Sequence, residues 1–405
     1  MFPMSRFLHV VAVPEAVATA VGMAPDPLTE EIPADHAPGR VLCAEVIAGE
    51  DIPGFDRSVV DGFAVRAEDT AGSSESVPAL LRCAGRVAMG YAAAGLSVAN
   101  GGCVYIPTGG VLPKGANAVV MVENTEETGD MVLVKRPVSY GENILLHDDD
   151  YRRGTVVLPS GRRLSPRDAG VLAACGRTSV IVSKKPVIGI ISTGNELVPV
   201  TATPGPGQVR DANASMLAAY LREYGCTPKF YGIVPDEHEA FETVISRALP
   251  ECDVLLLSGG SSKDDRDMTA RVVAGRGEVL VHGIAIAPGK PTIIGRIDGK
   301  PVFGLPGHPA SAFVVFIVIV CPLLDRMLGQ TKAFLRTTRA TLGDNIPSQK
   351  GREEYFRVRL ENGTAQPVFG KAGLLNTLVA SDGLVRIPSG CEGLERGSEV
   401  EVILW

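Results

Sequence analysis

The chain lacks several features that would settle its class at once. Its eight cysteines (Cys43, Cys83, Cys103, Cys175, Cys226, Cys252, Cys321 and Cys391) form no CxxC pair, and its six histidines are scattered. That argues against a zinc site, and the cysteines read as buried structural thiols in a reducing compartment. Positive charge is not in excess: 39 Lys and Arg against 46 Asp and Glu leave a net charge of −7. A sequence-independent nucleic-acid binder needs a basic surface, so that class is disfavoured, while a local basic pocket remains allowed. The most apolar segment, Ala312 to Leu324, contains Pro322 and falls short of the roughly 20 residues a membrane span needs. It predicts a buried helix. The opening MFPMSRFLHVVAVPEAV has no basic n-region and is broken by Pro14, so no signal peptide is predicted and a cytoplasmic location is expected. Repeats and low-complexity tracts are also missing. At 405 residues, a soluble chain of about two to four domains is the expectation.

What is present changes in character along the chain. Residues 8–24 and 166–177 have helical apolar spacing, the second opened by Ser165 as cap and Pro166 at the first helical position. Between them, GFAVRA, VYIPTGG, NAVVMVEN and MVLVKRP are short β-prone runs, which predict a small β-rich domain inserted into a helical one. GTVVLPSGRRL at 154–164 reads as a further hairpin-like piece. From Pro186 strands and helices alternate. VIGIIST is a continuous apolar strand, as expected where both sheet faces are covered. Asn213 is expected to cap a helix bearing Met216, Leu217, Tyr220, Leu221 and Tyr224 and ended by Gly225. KFYGIV is a second strand, Asp236 starts a second helix, and DVLLLSGG, PTIIGRI and KPVFGLPG are three more strands. Pro309 to Leu328 completes the pattern as a long apolar helix. This spacing predicts a doubly wound parallel sheet with right-handed crossovers. Beyond residue 331, EEYFRVRL, TAQPVF, LVRIPSG and SEVEVILW predict a small β-barrel or sandwich.

Ligands of open α/β sheets bind outside the carboxyl ends of the strands. STGNEL (192–197), SGGSSKDDRD (258–267) and GLPGHPAS (304–311) lie at such ends, and IAIAPGKP (284–291) presents Lys290 between two prolines. Gly194, Gly259, Gly260 and Gly307 allow close backbone approach, and N–H groups at helix starts attract anions. Turn-making alone explains any one of these loops. Their convergence on one edge favours an oxyanion or phosphate pocket. Glu196 and Asp267 there are also what Mg²⁺ needs beside phosphates, although Asp267 reads equally as a helix cap. His308 reads as a loop hydrogen-bonding residue rather than an acid–base group. In the N-terminal half, FDRSVVDGFAVRAED offers a buried-looking Ser-x-x-Asp-Gly around Asp61, and IPTGGVLPKGANAVVMVE offers hydroxyl and backbone donors at Thr108.

Taken in order, RSVVDGFAVR, PTGGVLPKGANAVVMVE, ISTGNELV, GQVRDANASMLAAYLREYG, LSGGSSKDDRD, APGKP and GLPGHPASA resemble the molybdopterin molybdenumtransferase family, the bacterial MoeA proteins and the eukaryotic gephyrin E-domain. The motifs cover nearly the whole chain, up to SDGLVRIP. The resemblance implies a multidomain α/β plus β protein. An elongated helical domain (1–50 and 142–184) carries an inserted β-rich domain (51–141), followed by an α/β molybdopterin-binding domain (185–330) and a C-terminal β-barrel (331–405). It further implies a homodimer with each site shared between subunits, insertion of molybdenum from molybdate into adenylylated molybdopterin, release of AMP, and help from Mg²⁺. Contact with a molybdopterin adenylyltransferase is also implied; no nucleic acid or membrane is.

Asp61, Thr108, Glu196, Asp267, Lys290, Pro306 and Pro309 match family positions associated with activity, and Asp150 aligns with a family acidic residue. On this likeness Glu196 and Asp267 serve Mg²⁺ and phosphates. Lys290, Ser262 and Ser311 hold molybdate or phosphate oxygens, and Asp61 and Thr108 arrive from the partner subunit. Positioning and electrostatics carry the rate. The chain departs from the pattern in four places. Asn195 stands for an Asp, Ala287 for the first lysine of KPGKP, His308 for an Asn, and Lys263-Asp264 for a small residue and Gly. Lys263 is read as replacing the cation lost at Ala287. These departures leave molybdate and tungstate both open. Two competing readings remain, an adenylyltransferase with the same α/β loops and a non-catalytic oxyanion- or pterin-binding scaffold.

Overall fold

The computed structural model describes residues 10–259 and 263–405, with the backbone alone described for 263–267. Helix α1 (Val13–Gly22) carries Pro14 in its first turn, where no intrahelical N–H is needed. Its buried face, Val13, Ala16 and Ala20, packs into the core of the central α/β unit. Strand β1 (Thr29–Pro33) pairs antiparallel with β10 (Ser179–Ser183), and β2 (Val46–Ile47) with β9 (Val156–Leu158). The 154–164 segment is therefore not a self-contained hairpin. Its period-2 pattern does not say which strand accepts its hydrogen bonds, and the acceptor lies far upstream. Helix α2 (Pro166–Ala174) is capped by Ser165, whose own N–H donates to Asp168 at 2.6 Å.

The segment between β2 and β9 folds its β-prone runs into one sheet. In spatial order it runs β6 (Ala118–Met121), β3 (Gly62–Val65), β5 (Gly102–Ile106), β4 (Ala79–Arg86), β8 (Met131–Val134) and β7 (Thr125–Thr128). Phe63, Val65, Cys103, Val120 and Val132 fill its core, as the sequence pattern predicts. Burial pushes the Cys103 thiol up to about 12, so it remains protonated and packs as a small apolar group.

The central sheet is ordered β12 (Thr227–Val234), β11 (Val187–Thr193), β13 (Val254–Gly259), β17 (Lys300–Leu305), β16 (Ile293–Ile297), β14 (Gly277–His282). The first four strands are parallel, and β16 runs antiparallel to both its neighbours, β17 and β14, so it alone is reversed. This corrects the expectation of a wholly parallel sheet. An apolar run shows that a strand is buried but carries no direction, and a short turn from Asp298 to Gly299 sends the chain straight back. Helices α3 (Ala212–Tyr224), α4 (His238–Ala248) and α5 (Lys263–Arg276) provide crossovers. Helix α4 starts two residues later than Asp236, which stays in the preceding loop.

Helix α6 (Pro309–Met327) is apolar along 19 residues, long enough by composition to cross a membrane, yet 83% of it is buried inside the protein. It is a core helix. Pro322 cannot donate to the carbonyl of Val318, and the helix widens to a π turn over Phe316–Val320. The last strands close a five-stranded barrel, β19 (Glu353–Glu361), β20 (Thr364–Pro367), β18 (Thr337–Leu342), β22 (Glu399–Leu404) and β21 (Gly383–Ile387), with β21 returning to β19. A short strand of the α/β unit, β15 (Ile286–Ala287), adds in parallel to β19 through Ile286↔Glu353 and Ala287↔Glu354.

Arg163 binds the N-terminal unit to this core. Its guanidinium donates to the carbonyls of Gly39 and Tyr224 and to Gln330, and lies 4.4 Å from the Phe334 ring centre. Arg163→Ala leaves those acceptors unpaired, and its expected cost is about 2–4 kcal/mol of unfolding free energy. Urea melts of the variant and of Arg163→Lys, which keeps the charge without the fork, measure it.

Candidate active site

Strands β11, β13 and β17 end on one edge, and a glycine stands at or just beyond each end. Gly259 has φ +156°, and a Cβ there would lie 1.9 Å from the carbonyl oxygen of Thr193. Gly194 has φ +145°, with the Glu196 carboxylate folded over the place a side chain would take. At Gly259 another residue would move the strand ends, and at Gly194 it would strain the backbone and displace the Glu196 carboxylate. The Glu196 side chain has no ion-pair or hydrogen-bond partner among the described residues, although its backbone carbonyl accepts from Val209 N. The carboxylate is thus free for a ligand, which is the condition a hard-cation site requires.

A cavity of about 410 Å³ opens here, walled by Glu196, Asn213, Ser258, Gly259, Gly307, His308 and Pro309, with Gly373 and Leu375 contributed by a barrel loop. Asp211, not Asn213, caps α3, its side chain accepting from Ala214 N at 3.0 Å. Both are Asx residues and either could cap; the turn falls one step before Ala212. Asn213 instead donates to Ser258 Oγ (3.1 Å) and to the Gly307 carbonyl (2.8 Å), tying three loops together. His308 follows Gly307 at the start of α6, and a side chain at Gly373 would press on its ring. On the far side of the 194–197 loop lies a larger, mostly apolar cavity of about 780 Å³, with Pro199, Val200, Phe230, Ile233 and Pro235 in its wall. Asn195 and Asp236 exchange reciprocal bonds there, each backbone N–H donating to the other's side chain at 3.2 and 3.3 Å. An Asp at 195 would set a second carboxylate against Asp236.

A third cavity, about 310 Å³, is lined by Lys290, Lys350 and Arg352. Its geometry comes from the β15–β19 pairing, continued by Glu353 N donating to Ala285 O at 2.8 Å, which puts Arg352 beside the Lys290 loop. Buried Thr292 holds that loop, its hydroxyl donating to Gly289 O at 2.7 Å. Arg352 Nε is buried without a partner, while Lys350 pairs with Glu392 at 3.2 Å. Sequence reasoning missed both barrel cations, although a glycine flanked by Lys and Arg just before a strand was a usable signal. Ser311 is buried at the start of α6, its carbonyl facing the Gly289 turn.

Not every expected site residue joins these cavities. Asp61 accepts from Thr108 N at 2.8 Å, so those two are brought together. Ser58 beside them is buried, but Asp61 and Thr108 are exposed and line none of the three cavities; nor does Asp150. Pro306 is buried beneath the loop. Gly260, Ser262, and the side chains of Lys263 and Asp267 lie outside the described residues. Among the described residues no cluster of three or more His, Cys, Asp and Glu has the arrangement of a metal site.

Such a molecule, with a polar cleft and a cation pocket beside a doubly wound sheet and a closed five-stranded barrel, is a multidomain α/β plus β protein. The sequence matches the MoeA N-terminal region (domain I and II) over residues 11–176, a probable molybdopterin binding domain over 189–326, and the MoeA C-terminal region (domain IV) over 339–405. It is 33% identical to the molybdopterin molybdenumtransferase of Bacillus subtilis, covering 97% of this chain and 94% of that one. To the Staphylococcus aureus protein of the same name it is 32% identical, over 90% and 88% of the two chains. The crystal structure of the molybdopterin biosynthesis moeA protein from Pyrococcus horikoshii superposes with a TM-score of 0.86 at 36% identity, covering 98% of this chain and 100% of that one. The chain belongs to the molybdopterin molybdenumtransferase (MoeA) family.

Proposed function

We propose that this protein inserts molybdenum from molybdate into adenylylated molybdopterin and releases AMP, a transferase step of molybdenum cofactor biosynthesis in the cytoplasm. The observation that carries this reading is the pairing of an acidic and acceptor-rich cleft with a cation pocket on the same sheet edge. Lys290 and Arg352 hold the oxyanion by charge-assisted hydrogen bonds. The polar cleft takes the pterin, and the larger apolar cavity has room for the nucleoside. Mg²⁺, when bound, neutralises phosphate charge; Glu196 and Asp267 would hold it. Gly194, Gly259 and Gly307 let the backbone approach the ligand, and the rate comes from positioning and preorganised charge.

Asp61 and Thr108 act in this reading from a second copy of the chain in a homodimer. Their exposure and their distance from the cavities of their own chain support that assignment. The domain division at residues 51, 142, 185 and 331 is part of the same proposal. The test is AMP release from adenylylated molybdopterin with molybdate and with tungstate in parallel. Molybdate-dependent AMP release with metal transfer is expected. Consumption of ATP instead would show an adenylyltransferase, and oxyanion binding without transfer would show a scaffold.

A further inference from the structure

The start of α3 holds two polar side chains that the fold leaves incomplete. Asp211 is 5% exposed and Asn213 is 7% exposed. Asp211 Oδ1 accepts from Ala214 N, and its Oδ2 is buried with no partner. Asn213 commits its amide nitrogen to Ser258 Oγ and Gly307 O, and its Oδ1 is likewise buried with no partner. Because that nitrogen faces two oxygens, the amide cannot be flipped, and the atom left over is an acceptor. Both residues line the polar cleft. Buried acceptors left unpaired are disfavoured, and two in one turn of helix, each anchored by its other end, require an external account.

We propose that Asp211 and Asn213 read the donor–donor edge of the pterin, its N3–H and 2-amino group, and so set the enzyme's choice of ring. This rests on the proposed reaction and deepens it. Ligand chemistry narrows the match. An adenine edge alternates a donor with an acceptor, so it meets two acceptors with one mismatch. A bare oxyanion offers acceptors only and is repelled, which agrees with its assignment to the cation pocket instead. An aminopyrimidinone presents two adjacent N–H donors and satisfies both oxygens.

The test uses the whole protein and two competitors of AMP release, pterin-6-carboxylate and lumazine-6-carboxylate, the second carrying an oxo group in place of the 2-amino group. The wild type is expected to prefer the pterin by about tenfold or more. Asp211→Asn keeps an oxygen to cap α3 and puts an NH₂ where Oδ2 stood. It is expected to raise KM for adenylylated molybdopterin by about ten- to a hundredfold, with a smaller change in kcat, and to abolish the preference. Asp211→Ser keeps a capping hydroxyl oxygen, removes Oδ2 and leaves Asn213 in place, and is expected to weaken the preference without abolishing it. A merely structural Asp211 would leave the ratio of the two competitors unchanged, and that result overturns the proposal. So does a raised Mg²⁺ requirement with an unchanged ratio, which would assign the oxygens to a cation. Absence of AMP release in the wild type would count against the reaction instead, and calorimetric binding of the two pteridines would still decide this inference.

Discussion

Lys290→Ala and Arg352→Ala are each expected to lower kcat/KM for molybdate by about ten- to a hundredfold, while KM for adenylylated molybdopterin stays within a few-fold of wild type. Each residue offers a charge-assisted bond to the oxyanion, worth about 1.5–3 kcal/mol in a partly enclosed pocket. The two act on one ligand, so the double variant should fall short of the product of the single effects. Lys350 supplies the control. It lines the same pocket but is exposed and already paired with Glu392, so Lys350→Ala should change the constant by less than about fivefold. Steady-state titration with molybdate at two salt concentrations checks all three. Equal effects from Lys350 and Arg352 would remove the assignment.

Mixing two inactive variants should restore activity. Asp61→Ala removes the partner's contribution to a shared site, and Glu196→Ala removes the α/β unit's own. If sites are shared across a two-fold axis, a mixed dimer carries one site with both defects and one intact. Random exchange makes about half the dimers mixed, so about a quarter of wild-type turnover should return. Co-expression with two affinity tags isolates the mixed species. No recovery in the purified mixed dimer would place Asp61 in its own chain's site or outside any site.

Much of this architecture is legible in the residues because the relevant signals are local. VIGIIST and DVLLLSGG are apolar runs since both sheet faces are covered, and Gly259 at the end of the second is demanded by the Thr193 carbonyl lying against it. The reversed direction of β16 was not legible, as an apolar pattern looks the same in either sense. The cap of α3 was ambiguous for a related reason: Asp211 and Asn213 have the same capping chemistry, and one residue of turn geometry decides between them. Arg352 was missed because its role is created by β15 pairing with β19, a contact between segments far apart in sequence. Asp61 and Thr108 are each marked by their own motif, but the bond between them is made by the pairing of β3 with β5, segments far apart in sequence.

The pairing of β15 with β19 has a thermodynamic consequence. An oxyanion gripped by Lys290 on one side and Arg352 on the other spans the joint between the α/β unit and the barrel. Whatever free energy it contributes on binding is then shared with barrel docking, so the two equilibria are linked. Saturating oxyanion should protect the amide hydrogens of β15 and the first residues of β19 from exchange. Loosening the barrel, in turn, should speed release of the anion.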